Sequence, residues 1–416
     1  MIPLADGLRY GAIAAPLAFA ALPLYVLLPS HYGASLGVPL AALGTVLLLT
    51  RLLDALVDPW LGRFVDRRFG PTRTRAMQLA GGAAVLLALG LAALFFPPMD
   101  DPRQLLLWCG LSLVVTYLGY SALGVLHQAW GARLGGDAST QAAVMGWREG
   151  IALAGVLLAS VLPALAGLGA MVATCAVGLG LGWLALSRAP YRSSALPAGA
   201  TKGQWSLPWR QAGFRHLIAV FLLNGVASAI PATLVLFFVR DRLQSPALEP
   251  VFLGGYFAAG ALSMPLWVRA VRHFGLVRTW LAGMLMAIVS FAGAATLGAG
   301  DGLAFVAICV ASGVALGADL VAPAALLTGV IQRAGHAQRL EGSYAGWWTC
   351  VTKLNLALAA GAALPALQWL GYRPGTTDPA ALQALTLCYS TLPCLLKAAA
   401  ALLLWRSGPT LEGRTT

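Results

Sequence analysis

Apolar stretches of about 20 residues recur along the whole of this 416-residue chain, separated by short polar or Gly/Pro-rich breaks. A hydrocarbon core about 30 Å thick is crossed by roughly 20 residues of helix. The pattern predicts twelve transmembrane helices, over 9–30, 37–61, 76–97, 104–126, 142–164, 167–187, 214–239, 250–270, 278–298, 302–330, 343–370 and 380–405. The first run is longer than the apolar region of a secretory leader and has a single Arg9 before it, so it reads as the first helix. One polar stretch is long: 188–213, SRAPYRSSALPAGATKGQWSLPWRQA. It predicts a six-helix N-terminal bundle over 1–187, a cytoplasmic linker over 188–213 and a six-helix C-terminal bundle over 214–416.

The halves echo one another. PWLGRFVDRRFGPTRTR (59–75), after the second apolar run, resembles PLWVRAVRHFGLVRTW (265–280), after the eighth. Aligning Phe69-Gly70 with Phe274-Gly275 also places Arg73 on Arg278. A basic, glycine-containing loop at the same place in each half is the trace of a parallel repeat of two bundles.

Composition removes water as the main solvent: 59% of residues are hydrophobic and 10% charged, with a mean hydropathy of +0.78, where soluble domains carry about 25% charged residues. The net charge of +12 would suggest nucleic acid in a soluble protein, but the cations lie in alternate loops. Arg67, Arg68, Arg73 and Arg75, Arg133, then Arg188, Arg192, Lys202, Arg210 and Arg215, then Arg269, Arg272 and Arg278, then Arg333 and Arg339 lie on one side. The opposite loops hold Arg103, Arg240, Arg242 and Arg373. This positive-inside bias places both termini in the cytoplasm, so the basicity reports topology in a lipid bilayer and not a nucleic-acid partner. The preference for Arg, Ala and Gly suggests a GC-rich bacterial genome, hence the inner (cytoplasmic) membrane. Six cysteines all fall in apolar runs without CxxC pairs or histidines at ligand spacing, so no metal site is expected.

Charges inside the spans carry the chemistry, since each costs roughly 2.5–3.5 kcal/mol at membrane depth unless it is partnered or hydrated. They are Arg51, Asp54, Asp58, Arg148, Glu149, Asp319, Lys353 and Lys397. Asp54 and Asp58, four residues apart, share one helix face. Two such carboxylates cannot both ionise in a poor dielectric without a counter-cation, so one holds a proton or a cation neutralises the pair. That is the electrostatic specification of a coupling-ion site, with Arg51 and Lys353 as counter-charges. The alternative is that Asp58 ends the helix and Asp54 pairs with Arg51. Just beyond, Gly62-x-x-x-Asp66-Arg67-x-x-Gly70-x-x-Arg73 resembles the cytoplasmic signature loop of the major facilitator superfamily, which would make these residues a gating motif.

The longer segment Arg51-x-x-Asp54-x-x-x-Asp58-Pro59-x-x-Gly62-x-x-x-Asp66 matches every fixed position of the helix 2 motif of the glycoside-pentoside-hexuronide:cation symporter family. Tyr10-Gly11, Tyr120-Ser-Ala-Leu-Gly124, Arg148 and Glu341-Gly-Ser-Tyr-x-Gly346-Trp-Trp-x-x-x-x-Lys353 extend the resemblance over most of the chain. The resemblance implies an all-α membrane protein of the major facilitator fold. It also implies cation-site carboxylates at Asp54 and Asp58, a lysine beside them at Lys353, and a solute-facing Arg148. Two departures matter. Where melibiose-carrying members hold sugar-binding carboxylates, this chain has Ala18 and Thr116, and oxygens expected around sodium are replaced by Val57 and Leu113. Sodium needs several oxygen ligands, so a proton is favoured as the coupling ion.

Remaining candidates are Asp319, bracketed by Gly317 and Pro323, with either Arg148 or Lys397 as an ion-pair partner if its role is structural. Tyr120, Asn224, Trp347 and Trp348 join Thr116, Arg148 and Asp319 as expected solute contacts, although a Trp pair also suits a membrane interface. Glu149 adjoins Arg148 and reads as its neutralising partner. The chain is thus expected to be a monomeric secondary transporter coupling a cation to a small, sugar-related solute, with no cofactor. A lipid-like or amphipathic solute is the alternative, followed by a non-transporting sensor. No catalytic loop points to an enzyme.

Overall fold

In a computed structural model, residues 3–28, 31–38, 40–69, 72–192, 206–372 and 375–413 are described. Gly70, Lys202 and Arg373, and half of the predicted linker (193–205), lie outside the described residues. Long helices dominate: α1 Leu4–Tyr25, α2 Leu40–Phe69, α3 Arg73–Phe95, α4 Pro102–Arg133, α5 Ala138–Pro163, α6 Leu165–Leu186, α7 Ala212–Arg242, α8 Pro246–Phe274, α9 Leu276–Thr296, α10 Gly302–Arg333, α11 Glu341–Trp369 and α12 Pro379–Glu412. Among the described residues, ten of these are long and apolar enough to cross a membrane. The other two, α2 and α11, carry Arg51, Asp54, Asp58 and Lys353.

The observed helices generally overrun the apolar stretches at their polar ends, because a hydrogen-bonded backbone continues past the hydrocarbon edge. α2 runs eight residues beyond the predicted end at 61, carrying Asp66 on helix rather than loop. Breaks come where the backbone must leave the helix. Gly275, at φ 83°, ends α8 and starts α9 in a conformation that L side chains rarely adopt. Gly167, at φ 79°, kinks the chain near the start of α6, just after Pro163. Side-chain caps fix other starts: Thr72 accepts from Arg75 N to begin α3, and Asp101 accepts from the amides of Arg103 and Gln104 to begin α4.

The chain divides into two compact units, one of residues 1–136, 147–208 and 334–350, the other of 137–146, 209–333 and 351–416. In the first, α4 packs along α2 and α3. Tyr10 of α1 donates to the His127 carbonyl of α4 at 3.1 Å, while His127 Nε2 lies 2.9 Å from the Tyr10 carbonyl, tying those helices twice. In the second, α8 packs on α10, α7 on α12, and α9 on both α10 and α12. Its core includes an aromatic cluster in which Phe238 stacks on Tyr389 with ring centroids 4.1 Å apart and Phe252 meets Phe305 edge-on. Large apolar side chains such as Leu107, Leu165, Leu262, Val289 and Leu303 are exposed, as expected of a surface solvated by lipid.

Candidate functional site

Helix α2 presents the carboxylate pair as its spacing requires. Asp54 is 8% exposed and Asp58 fully buried. Ser121 of α4 donates its hydroxyl to Asp54 Oδ1 at 2.6 Å. This is a charge-assisted contact of the stronger kind. Pro59 follows Asp58 inside the helix, and having no amide it leaves the Ala55 carbonyl without its intrahelical donor. The pair therefore lies on a stretch of helix whose backbone is not fully self-satisfied. Arg51, one turn before Asp54, places its guanidinium 4.4 Å from the centroid of the Tyr25 ring on α1. Lys353 belongs to the second unit.

One turn beyond Asp58 the helix becomes a close-packed crossing with the first turns of α11. A Cβ on Gly62 would overlap the Gly342 carbonyl, and one on Gly346 would overlap the Asp58 carbonyl. Such contact of bare backbones is the small-residue packing that lets membrane helices approach. The crossing sets Asp66 against the start of α11, where the first amides lack helical partners. Asp66 Oδ1 accepts from Gly342 N at 2.6 Å, and Oδ2 accepts from Ser343 N at 2.7 Å and from Ser343 Oγ at 2.6 Å. The carboxylate thus caps the positive end of another helix. Arg133, 1% exposed, bridges Asp66 at 3.4 Å and Glu341 at 3.1 Å. Arg73 donates to the Ser187 and Ala189 carbonyls beyond the end of α6, a cation at a helix C-terminus, while Arg67 is exposed.

Expected solute contacts fall in both units. In the first, Arg148 and Glu149 are paired at 2.6 Å and each is 21% exposed. Tyr120 is half-buried next to Ser121, and of the tryptophans Trp348 is buried and Trp347 half-buried. Thr116 is fully buried, its hydroxyl donated to Ser112 O at 2.6 Å and packed where α4 meets Gly90 of α3. In the second unit, Asp319 of α10 organises a four-residue network. Its Oδ1 accepts from Asn224 Nδ2 at 3.1 Å and Trp280 Nε1 at 2.7 Å, and its Oδ2 accepts from Lys397 Nζ at 2.8 Å. Lys397 also donates to Asn224 Oδ1 at 2.8 Å. Of the two partners left open for Asp319, Lys397 is the one found.

Ser121, Arg133, Glu341, Ser343 and Trp280 were not singled out as site residues from the sequence. Ser121, Glu341 and Ser343 sit inside the motifs that carry the family resemblance, which is the signal that points to them. Arg133 reads only as a loop cation and Trp280 as an ordinary apolar residue until the fold supplies their partners.

The family profile of the MFS/sugar transport proteins matches residues 9–408. The inner membrane symporter YicJ of Escherichia coli is 24% identical over 312 residues, covering 69% of this chain and 65% of that protein. The putative glycoside/cation symporter YagG of the same bacterium is 24% identical over 244 residues, covering 55% and 52%, and the uncharacterized symporter YnaJ of Bacillus subtilis is 34% identical over 126 residues, covering 28% and 26%. The matched stretches thus span between about a quarter and two thirds of these relatives. Among solved structures, a bacterial homologue of the iron transporter ferroportin in an outward-facing state superposes with a TM-score of 0.70 at 18% identity, covering 98% of this chain and all of that one. The Escherichia coli fucose:proton symporter FucP gives 0.65 at 13%, covering 95% and 97%. These likenesses establish the all-α major facilitator fold. With a profile match running almost from end to end, this multi-pass membrane chain belongs to the MFS/sugar transport protein family.

Proposed function

We propose that this protein is a secondary transporter of the cytoplasmic membrane, with both termini inside, in which Asp54 and Asp58 bind a coupling cation that drives symport of a small, sugar-related solute by alternating access. The observation that carries the reading is the buried carboxylate pair on one face of α2, with Ser121 donating to Asp54 at 2.6 Å. Ionisable residues within membrane spans are costly and mark ion and substrate pathways, and two buried acids four residues apart are suited to taking up and releasing charge. Bare, the pair resists movement through a low-dielectric environment; neutralised, it does not. Within the first unit Arg51 is the candidate counter-charge and Arg148, Tyr120, Trp347 and Trp348 are the candidate solute contacts; within the second, Lys353 is the candidate counter-charge and Asn224 and Asp319 are the candidate solute contacts.

The proton is favoured over sodium. Val57 and the fully buried Leu113 replace oxygen-bearing side chains, and sodium, being bound by several oxygens, gains most from such groups. Thr116 spends its hydroxyl within its own helix, so the grip on a sugar expected at that point of α4 is missing, which favours an amphipathic solute as the second reading. The glycine crossing and the Asp66–Ser343 cap, with Arg67 and Arg73, are the candidate cytoplasmic gating elements.

Reconstituted protein, loaded with a solute found by counterflow, tests the proposal. An imposed inward proton gradient is expected to drive accumulation, and Asp58→Asn is expected to abolish accumulation while leaving exchange. Accumulation that demands sodium and ignores the proton gradient overturns the choice of ion; accumulation that survives the Asp54→Asn/Asp58→Asn pair overturns the site.

A further inference from the structure

The second unit holds a cavity of about 230 Å³ among α7, α8, α9, α10 and α12. Its wall is overwhelmingly apolar and rich in rings, with Phe252, Tyr256, Phe257, Phe291, Leu316 and Tyr389 among the lining side chains. Two charged residues reach it, Asp319 and Lys397. These are the partners of the 2.8 Å ion pair between α10 and α12.

We infer that this cavity binds a neutral amphipathic small molecule, an aromatic body ending in a hydroxyl or carbonyl oxygen that meets Lys397. The shape and chemistry of the wall select the body: aromatic rings pack against one another in offset or edge-on fashion with gains beyond area burial alone. The polar end follows from counting donors. Asp319 already accepts from Asn224, Trp280 and Lys397. Lys397 donates to Asn224 Oδ1 and Asp319 Oδ2, which engages two of the three N–H groups an ammonium carries. The group at the cavity is therefore a donor seeking a lone pair. The ion pair is neutral as a whole, so a carboxylate or ammonium on the ligand would bring an uncompensated charge against a predominantly apolar wall, at a cost that a neutral oxygen avoids. A salt bridge serving only to tie two helices would be covered by packed side chains, whereas both partners here line a cavity. The inference deepens the transport reading at Asp319 and rests on it for the fate of the ligand. Binding itself is separate from coupling at Asp54 and Asp58.

The test uses full-length protein in lipid nanodiscs and three probes with the same body, 4-phenylbutan-1-ol, 4-phenylbutanoate and 4-phenylbutylammonium, titrated calorimetrically. The alcohol is expected to bind saturably at one site per chain, at least about tenfold tighter than either charged analogue. Leu316→Trp from α10 and Ala232→Phe from α7, each filling the cavity, are expected to weaken the alcohol by at least about tenfold, and Lys397→Met to erase its advantage over the charged analogues. Two fillers from different helices are used so that one misfolded variant does not decide the result. Partitioning identical to that of protein-free nanodiscs, a charged analogue that binds as tightly as the alcohol, or an affinity unmoved by both fillers overturns the site. Because no ion gradient is present, failure here is distinguishable from failure of the coupling assignment.

Discussion

Asp66, near the end of α2, holds the first amides of α11 through Ser343: one carboxylate oxygen accepts both the Ser343 amide, at 2.7 Å, and its hydroxyl, at 2.6 Å. Residues 277 positions apart are thereby joined by a helix cap supplied from another helix. The contact is strong because a carboxylate is the acceptor, the donors lack helical partners, and both residues are buried.

Breaking this cap is expected to be costly. Asp66→Asn keeps an acceptor but strips the charge facing Arg133, and losing one member of a buried pair costs about 3–5 kcal/mol. Adding Arg133→Met should recover part of the loss, though not all, since Glu341 then loses its own partner. Thermal denaturation of both single variants and the double variant measures the coupling; strictly additive losses would show that Asp66 and Arg133 act independently.

The glycine crossing makes a contrast within the same unit. Gly62→Ala drives a methyl into the Gly342 carbonyl, an overpacking expected to cost about 1–3 kcal/mol. Gly124→Ala meets nothing within 4 Å and, in mid-helix, should be neutral or stabilising by up to about 1 kcal/mol. Melting temperatures of the two variants should move in opposite directions, or only the first should move; equal losses would remove the close approach as the reason for glycine at 62.

Ser121→Ala deletes the hydroxyl that Asp54 accepts. A hydrogen bond to a charged group contributes about 1.5–3 kcal/mol, so the coupling ion proposed at Asp54 is expected to be held differently by roughly ten- to a hundredfold. Uptake rates against proton concentration, compared between wild type and Ser121→Ala, report the shift. Superimposable curves would place Ser121 outside the proposed cation site.

His336, in the connection between α10 and α11, lies 2.8 Å through Nδ1 from the Tyr344 hydroxyl. Desolvation, with a smaller push from Arg339, lowers its pKa below the ordinary 6.5. The folded state thus prefers neutral imidazole, while the unfolded chain takes up a proton first as pH falls. Stability is expected to be level above about pH 7 and to decline on acidification through about 6.5. His336→Gln should flatten that limb of a melting-temperature profile between about pH 5 and 8; an unchanged slope would assign it to other groups.

Much of the fold is legible in the chain itself because membrane insertion is a local decision. Each stretch of about 20 apolar residues reads as a helix, since only a helix satisfies its backbone polar groups within one segment and a spanning strand is about half as long. The predicted spans and observed helices accordingly differ mainly at their ends, where α2 and α4 continue to Phe69 and Arg133 under hydrogen bonding rather than hydropathy. Asp54 and Asp58 could likewise be placed on one face by spacing alone.

Partnerships between distant residues are another matter. Nothing in the local pattern says that Ser121 answers Asp54, that Arg133 joins Asp66 to Glu341, or that Lys397 rather than Arg148 meets Asp319. Those pairings depend on which helix faces meet, and at Gly62 and Gly346 on backbones that touch because no Cβ intervenes. Sequence by itself determined the helices and the acids they carry, through hydropathy and the 3.6-residue period; only the tertiary structure decided which donors complete those acids and where a cavity forms beside them, because packing couples residues that are far apart along the chain.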